Sequence, residues 1–219
     1  MPPPTTAVVF DLDGTLVDTT YLHALAWWRA SVDGGLDIAF WRFHRAIGMG
    51  SDQLTEDLFG GDRPDLEAGR AEQFRRLHDE VRLLPGAREL VTAVADLGHR
   101  VVIGTSGVAE DIERSLGLLD LDDRLHAVVS AAEVETSKPA PDIFELALER
   151  AEVAPGHAVV VGDTVWDAEA AARGAIASIG LLTGGHATND LFTAGAAAVY
   201  DDPADLLARL ATSPIGSLR

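Results

Sequence analysis

The chain opens on a short apolar run, Ala7-Val8-Val9, followed at once by Phe10-Asp11-Leu12-Asp13-Gly14-Thr15. An uninterrupted run of this kind predicts a strand buried on both faces of a parallel sheet. Asp11 and Asp13 stand at its C-terminal end, two residues apart, so strand periodicity predicts that their side chains lean to one face. Gly14 lets the chain turn away. Two carboxylates held side by side repel each other unless a cation or a shared proton offsets the charge. The pair is therefore a candidate site for Mg2+ and a phosphate group. Asp-Leu-Asp-Gly alone also fits a turn; the preceding strand and the polar groups downstream favour the site.

From about residue 85 the sequence alternates between two periodicities. Strands are expected over 100–104, 127–130, 158–162, 177–181 and 197–200. Helices are expected over 88–97, 109–116, 142–151, 164–173 and 203–210, with Gly98 and Gly174 suited to helix C-termini. This alternation predicts an α/β fold with a doubly wound, Rossmann-like parallel sheet. Residues 19–83 differ. They lack convincing strands, carry three of the four tryptophans (Trp27, Trp28 and Trp41), and read as helices over 22–32, 38–46, 53–58 and 66–81. The expected organisation is a core domain of residues 1–18 and 84–219, interrupted by an all-helical cap domain of residues 19–83. Trp27, Trp28, Phe40, Trp41 and Phe43 are expected to form the cap's own core, and Gly184-Gly185 a loop.

Composition narrows the partners. Seventeen basic against 35 acidic residues give a net charge of −18. Such a surface repels nucleic acid and anionic membranes, which leaves a small molecule as the expected partner. An anionic substrate then needs local positive charge at its site. The absence of cysteine excludes disulfides, thiolate catalysis and cysteine–zinc centres. Met1-Pro2-Pro3-Pro4 lacks the basic start and apolar stretch of a secretion signal, and no run reaches the roughly 20 apolar residues that span a bilayer. The expected location is the cytoplasm, as a monomer or homodimer.

Four polar clusters follow four of the expected strands: Asp11 with Asp13; Thr105-Ser106-Gly107; Lys138; and Asp163 with Asp167. In a parallel sheet the C-terminal strand ends share one edge, where ligands bind. Each cluster has a plainer reading. Thr105-Ser106 and Asp163 suit helix N-caps, and a lysine is usually solvated. Lys138, however, is the chain's only lysine, which points to a place where a compact point charge is wanted. Together the groups fit phosphoryl transfer. A carboxylate can act as nucleophile. Mg2+ suits Asp11 and Asp163, Lys138 and Thr105 can hold phosphoryl oxygens with backbone N–H groups near Ser106, and Asp13 can serve as acid and base in turn.

The DxDGT sequence at Asp11–Thr15, then Thr105, Lys138 and the GDxxxD sequence ending at Asp163–Asp167, match in order the four motifs of the haloacid dehalogenase superfamily. The chain resembles its phosphoglycolate phosphatase and β-phosphoglucomutase-like branch over nearly its whole length. That resemblance implies a Mg2+-dependent phosphatase of small organic phosphate monoesters. It implies Asp11 as nucleophile, Asp13 as acid and base, and Mg2+ held by Asp11, the Asp13 main-chain carbonyl and Asp163. Asp167 then supports the metal's waters or orients Lys138. Thr105, Ser106, Gly107, Lys138 and Gly14 are expected around the phosphoryl group, with His23 of the cap near Asp13. Asp13 argues against dehalogenation, and a cap without lysine argues against Schiff-base phosphonate hydrolysis. A β-phosphoglucomutase-like activity is the alternative, although Met49-Gly50-Ser51-Asp52 lacks the arginine of those mutases. A receiver-like phospho-acceptor ranks lower, because receivers lack a helical insertion after the first strand.

Overall fold

The computed structural model describes residues 5–121 and 123–218. Six parallel strands form one sheet: β1 (Ala7–Phe10), β2 (Arg100–Thr105), β3 (Leu125–Ser130), β4 (Ala158–Gly162), β5 (Ala177–Leu181) and β6 (Ala198–Tyr200). Their spatial order is β3-β2-β1-β4-β5-β6. The described helices are α1 (Thr20–Asp33), α2 (Phe40–Ala46), α3 (Ser51–Phe59), α4 (Pro64–Arg75), α5 (Ala87–Asp96), α6 (Ala109–Leu119), α7 (Asp142–Ala151), α8 (Val165–Arg173), α9 (Thr188–Ala194) and α10 (Pro203–Ala208).

β1 lies at the centre, with Val8 opposite Val101 of β2 and Val159 of β4. All four of its residues are buried, and a buried Val or Phe contributes about 1.5–3 kcal/mol. Alternate residues supply two cores. Val8, Phe10, Val101, Ile103 and Val161 pack with Leu90, Val91 and Val94 of α5. Ala7, Val9, Val102 and Val160 pack with Ile143, Phe144 and Ala147 of α7 and with Ala170 and Ala171 of α8. Both faces are thus covered, which is why β1 and β4 read as continuous apolar runs rather than alternating ones. The chain winds from β1 out to β3, then returns to the other side of β1 at β4. The strand order reverses between β1 and β4, and the crevice at their C-terminal ends is where such sheets bind ligands. This is the doubly wound α/β arrangement that the alternation predicts.

Helices α1 to α4 are inserted between β1 and α5. Their shared apolar cluster contains Ala24, Trp27, Phe43, Ala46, Ile47, Leu54, Leu58 and Leu66. The chain leaves the sheet and returns to it side by side: Asp18 N–H donates to the Arg82 carbonyl at 2.8 Å, and Leu84 N–H to the Leu16 carbonyl at 3.0 Å. Among the described residues no helix is long and apolar enough to cross a membrane.

Several local expectations need correction. Phe40 and Trp41 are 38% and 63% exposed. A seven-residue helix has one inward face, and in α2 Phe43 and Ala46 occupy it. The helix expected over 66–81 stops at Arg75, and a separate 3-10 turn covers His78–Glu80. Helix α9 was not expected, because Thr188-Asn-Asp-Leu-Phe-Thr-Ala has a single buried apolar position, Leu191, and so shows no helical periodicity.

Candidate active site

β1 ends at Phe10, one residue before the first aspartate. Asp11 is still tied to the sheet through its N–H, which donates to the Val161 carbonyl at 2.9 Å. Beyond it the chain turns through Gly14 at φ +79°. A Cβ at Gly14 would lie 2.1 Å from an Asp163 oxygen, so a side chain is excluded by space as well as by φ. Strand periodicity therefore lapses at Asp11, and the two carboxylates take different partners. Both nevertheless line one cavity.

Asp11 accepts a hydrogen bond from Lys138 Nζ at 2.6 Å. The same Nζ donates to Asp167 Oδ1 at 2.8 Å and to the Gly104 carbonyl at 3.3 Å. The Lys138 side chain is wholly buried, and its Nζ stands 5.1 Å above the Phe144 ring. Asp163, at the end of β4, is wholly buried. It accepts from Thr15 Oγ1 at 3.0 Å and from Thr20 Oγ1 at 3.1 Å. Asp167 sits in the first turn of α8 and closes a capping box with Thr164. Its Oδ2 accepts from the Thr164 N–H at 3.1 Å. Ligand atoms of Asp11, Asp163 and Asp167 lie within 4.8 Å of one another.

Three buried carboxylates around one ammonium carry excess negative charge. Burial pushes the Asp11 carboxyl up to about 8, and repulsion from Asp167 and Asp13 adds to a rise that Lys138 opposes. Asp163 is raised well above the usual carboxylate range by burial and then by Asp167 and Asp11. Burial alone would lower Lys138, but the Asp11 and Asp167 carboxylates outweigh it and hold the ammonium charged. A divalent cation among these oxygens removes the excess, so the donor set fits one: it is all oxygen, anionic and converging.

The Asp13 carboxylate stands outside this trio. It accepts from Thr19 Oγ1 at 2.6 Å and lies 3.1 Å from His23 Nε2, whose ring stacks on Phe74 at 3.9 Å between centroids. Burial would raise Asp13, but His23, Thr19 and the Arg70 charge lower it. The two aspartates of one turn are thus pushed in opposite directions, the pattern expected of groups with different proton roles.

Thr105 is buried at the end of β2, and its Oγ1 accepts from the Gly107 N–H at 3.0 Å. Thr105, Ser106 and Gly107 line the cavity together with Asp11, Asp13 and His23. Lys138, Asp163 and Asp167 are buried and do not line it. Inserted helices close the cavity's other side through Trp27, Ile47, Leu54 and Arg70. Sequence reasoning missed Arg70 and Asp111, and it missed the threonine donors Thr19 and Thr20. Thr15 and Thr164 lie inside the motifs and were legible there; an arginine on a helix gives no such signal.

The haloacid dehalogenase-like hydrolase family matches residues 5–174. The chain is 30% identical over 209 residues to a phosphorylated carbohydrates phosphatase of Thermotoga maritima, covering 88% of this chain and 93% of that one. It is 30% identical over 174 residues to a β-phosphoglucomutase of Bacillus subtilis, covering 72% and 74%. The crystal structure of a hydrolase from Pseudomonas syringae superposes with a TM-score of 0.90 at 34% identity, over 95% of this chain and 99% of that one. The chain belongs to the haloacid dehalogenase-like hydrolase family. Within it, the chain is a phosphatase-type enzyme of the branch that also holds the β-phosphoglucomutases.

Proposed function

We propose that this protein is a Mg2+-dependent phosphatase that hydrolyses a small sugar or polyol phosphate monoester through an aspartyl-phosphate, acting in the cytoplasm. The observation that carries the reading is the contact of Asp11 with the buried Lys138, beside Asp163 and Asp167. The phosphorylated carbohydrates phosphatase among its relatives supports the substrate class. Mg2+ would be held by Asp11, Asp163 and the Asp13 main-chain carbonyl, with Asp167 supporting its waters, and would supply charge neutralisation.

An Asp11 oxygen attacks phosphorus, and the bond from phosphorus to the ester oxygen breaks as the new one forms. Asp13 protonates the leaving alkoxide; an arriving phosphate dianion raises its proton affinity by like-charge repulsion. Asp13 then removes a proton from the water that attacks the phosphorus of the aspartyl-phosphate, and Asp11 is released. Thr105 and the N–H groups near Ser106 and Gly107 hold phosphoryl oxygens. Lys138 keeps Asp11 in line and neutralises the same charge. His23 and Thr19 hold Asp13 at the cavity wall. We propose that residues 19–83 act as a cap that closes over this site and excludes bulk water, hinged where 16–18 and 82–84 pair.

A panel of phosphorylated metabolites and p-nitrophenyl phosphate, assayed for phosphate release with Mg2+, tests the reading. No turnover of any ester would overturn it. Conversion of β-glucose 1-phosphate to the 6-phosphate without phosphate release would reassign the chain as a mutase.

A further inference from the structure

Besides the His23–Asp13 contact, the inserted helices meet the sheet domain inside the cavity through a guanidinium–carboxylate pair. Arg70 of α4 donates from Nη1 to Asp111 Oδ2, in the first turn of α6, at 2.8 Å. Both side chains are 8% exposed, and both line the cavity that contains Asp11 and Asp13. A buried ion pair is a poor device for holding two layers together, because desolvation offsets most of the attraction unless every remaining donor and acceptor is satisfied. These are not. Arg70 Nε is buried without a partner. His78 Nε2, 3.8 Å from the other Asp111 oxygen, is also without one. These two sealed nitrogens leave the pair only partly satisfied, and because Arg70 lines the cavity with a single hydrogen bond, from Nη1, its guanidinium keeps donor capacity for a ligand there.

The pairing decides which acceptor. Asp111 already neutralises the Arg70 charge, and Asp13 adds a further negative charge to the cavity wall. A second carboxylate or phosphate on the substrate meets two carboxylates and a guanidinium that is already matched. A hydroxyl both accepts and donates, and it fits a guanidinium next to a carboxylate on one cavity wall. We propose that Arg70 and Asp111 form the specificity-determining site of this enzyme: Arg70 donates to a hydroxyl oxygen on the alcohol portion of the ester, and Asp111 accepts that hydroxyl's hydrogen. The proposal rests on the phosphatase reading above. It names hydroxylated phosphate esters as the class selected over deoxygenated or carboxylated ones. The selection is strong in principle, because an analogue without the hydroxyl leaves two buried polar groups unpaired.

The test compares glycerol 3-phosphate, propyl phosphate and 2-phosphoglycolate on the purified enzyme with Mg2+, and then on Arg70→Gln and Asp111→Asn. In the wild type, kcat/KM for glycerol 3-phosphate should exceed that for each of the other two by about 100-fold or more. In either variant that ratio should fall to about tenfold or less. Since breaking a buried pair can unfold a protein, the double variant Arg70→Met with Asp111→Leu is made alongside; it keeps the contact apolar. It should melt cooperatively and show the same collapsed ratio. A wild-type ratio near one overturns the assignment, as do variants that lower all three substrates equally, the behaviour of a pair that only holds the cap shut. Neither result touches the phosphatase reading, which fails separately if none of the esters is turned over.

Discussion

Replacing Asp11 with Asn should make the metal-free protein more stable while abolishing turnover. The Asp11 carboxyl ordinarily titrates near 3.8 and is pushed up to about 8 in the folded chain. The folded state therefore holds a proton that the unfolded state releases. Stability from this group is full below 3.8 and is lost as pH rises towards 8. Each pH unit in that window costs about 1.4 kcal/mol, which amounts to roughly 4 kcal/mol at pH 7. Asn is neutral at every pH and escapes the penalty. The figure is a ceiling, because Lys138 loses one of its two carboxylate partners and keeps Asp167. A protein of this size gains about 2–4 °C in Tm per kcal/mol, so the ceiling is roughly 8–16 °C. Differential scanning fluorimetry in EDTA from pH 5 to 8 reads the effect. Asp11→Asn should melt several degrees above wild type at pH 7 to 8, with a smaller gap at pH 5, and excess MgCl2 should raise the wild type more than the variant. A variant that melts at or below wild type at pH 8 in EDTA would refute the account of the cluster as an overcharged site that needs a cation.

Lys138→Met should act in the opposite direction. It leaves Asp11 and Asp167 buried without their cation, and loss of one partner of a buried pair costs about 3–5 kcal/mol; the drop in Tm in EDTA should be larger at pH 8 than at pH 5. Asp163→Asn should raise the Mg2+ concentration for half-maximal phosphate release by about tenfold or more, and an unchanged titration would remove it from the metal's ligands. Gly184→Ala tests the packing behind Asp163, since the added Cβ would lie 2.3 Å from its Oδ2 and 2.5 Å from its carbonyl oxygen. It should raise the Mg2+ requirement and lower Tm, whereas Gly156→Ala, with nothing within 4 Å of its added Cβ, should do neither. Finally, a net charge of −18 repels a phosphate dianion at long range, so kcat/KM should rise between about 10 and 150 mM NaCl as screening sets in; a fall would show that local positive charge steers the substrate.

The strands were legible because burial on both faces imposes a residue-by-residue demand. Val8 and Val9 serve opposite cores, so neither position tolerates a polar side chain, and the run stands out. The acidic groups were legible for a related reason: they occur where such runs stop, and a parallel sheet puts those stops on one edge. Arg70 was not legible. Its partner lies 41 residues away in sequence and on a different layer, and nothing local separates a buried arginine from a solvated one. Trp41 misled because tryptophan tends to be inside, yet two residues along a helix is about half a turn, so with Phe43 inward Trp41 faces out.

The divergence of Asp11 and Asp13 follows from one event in the backbone. A regular strand would repeat one environment every second residue. The strand instead ends at Phe10, and the Gly14 turn packs against Asp163. Asp11 is left against the ammonium and the acidic trio, while Asp13 is carried to Thr19 and His23 at the root of the inserted helices. A nucleophile must lie among groups that neutralise phosphate, and an acid–base group must reach the leaving oxygen and then water. A single glycine turn separates those requirements by two residues of chain. It also carries Asp13, the acid–base group of the proposed mechanism, to the foot of α1, where the N-cap Thr19 and His23 hold it.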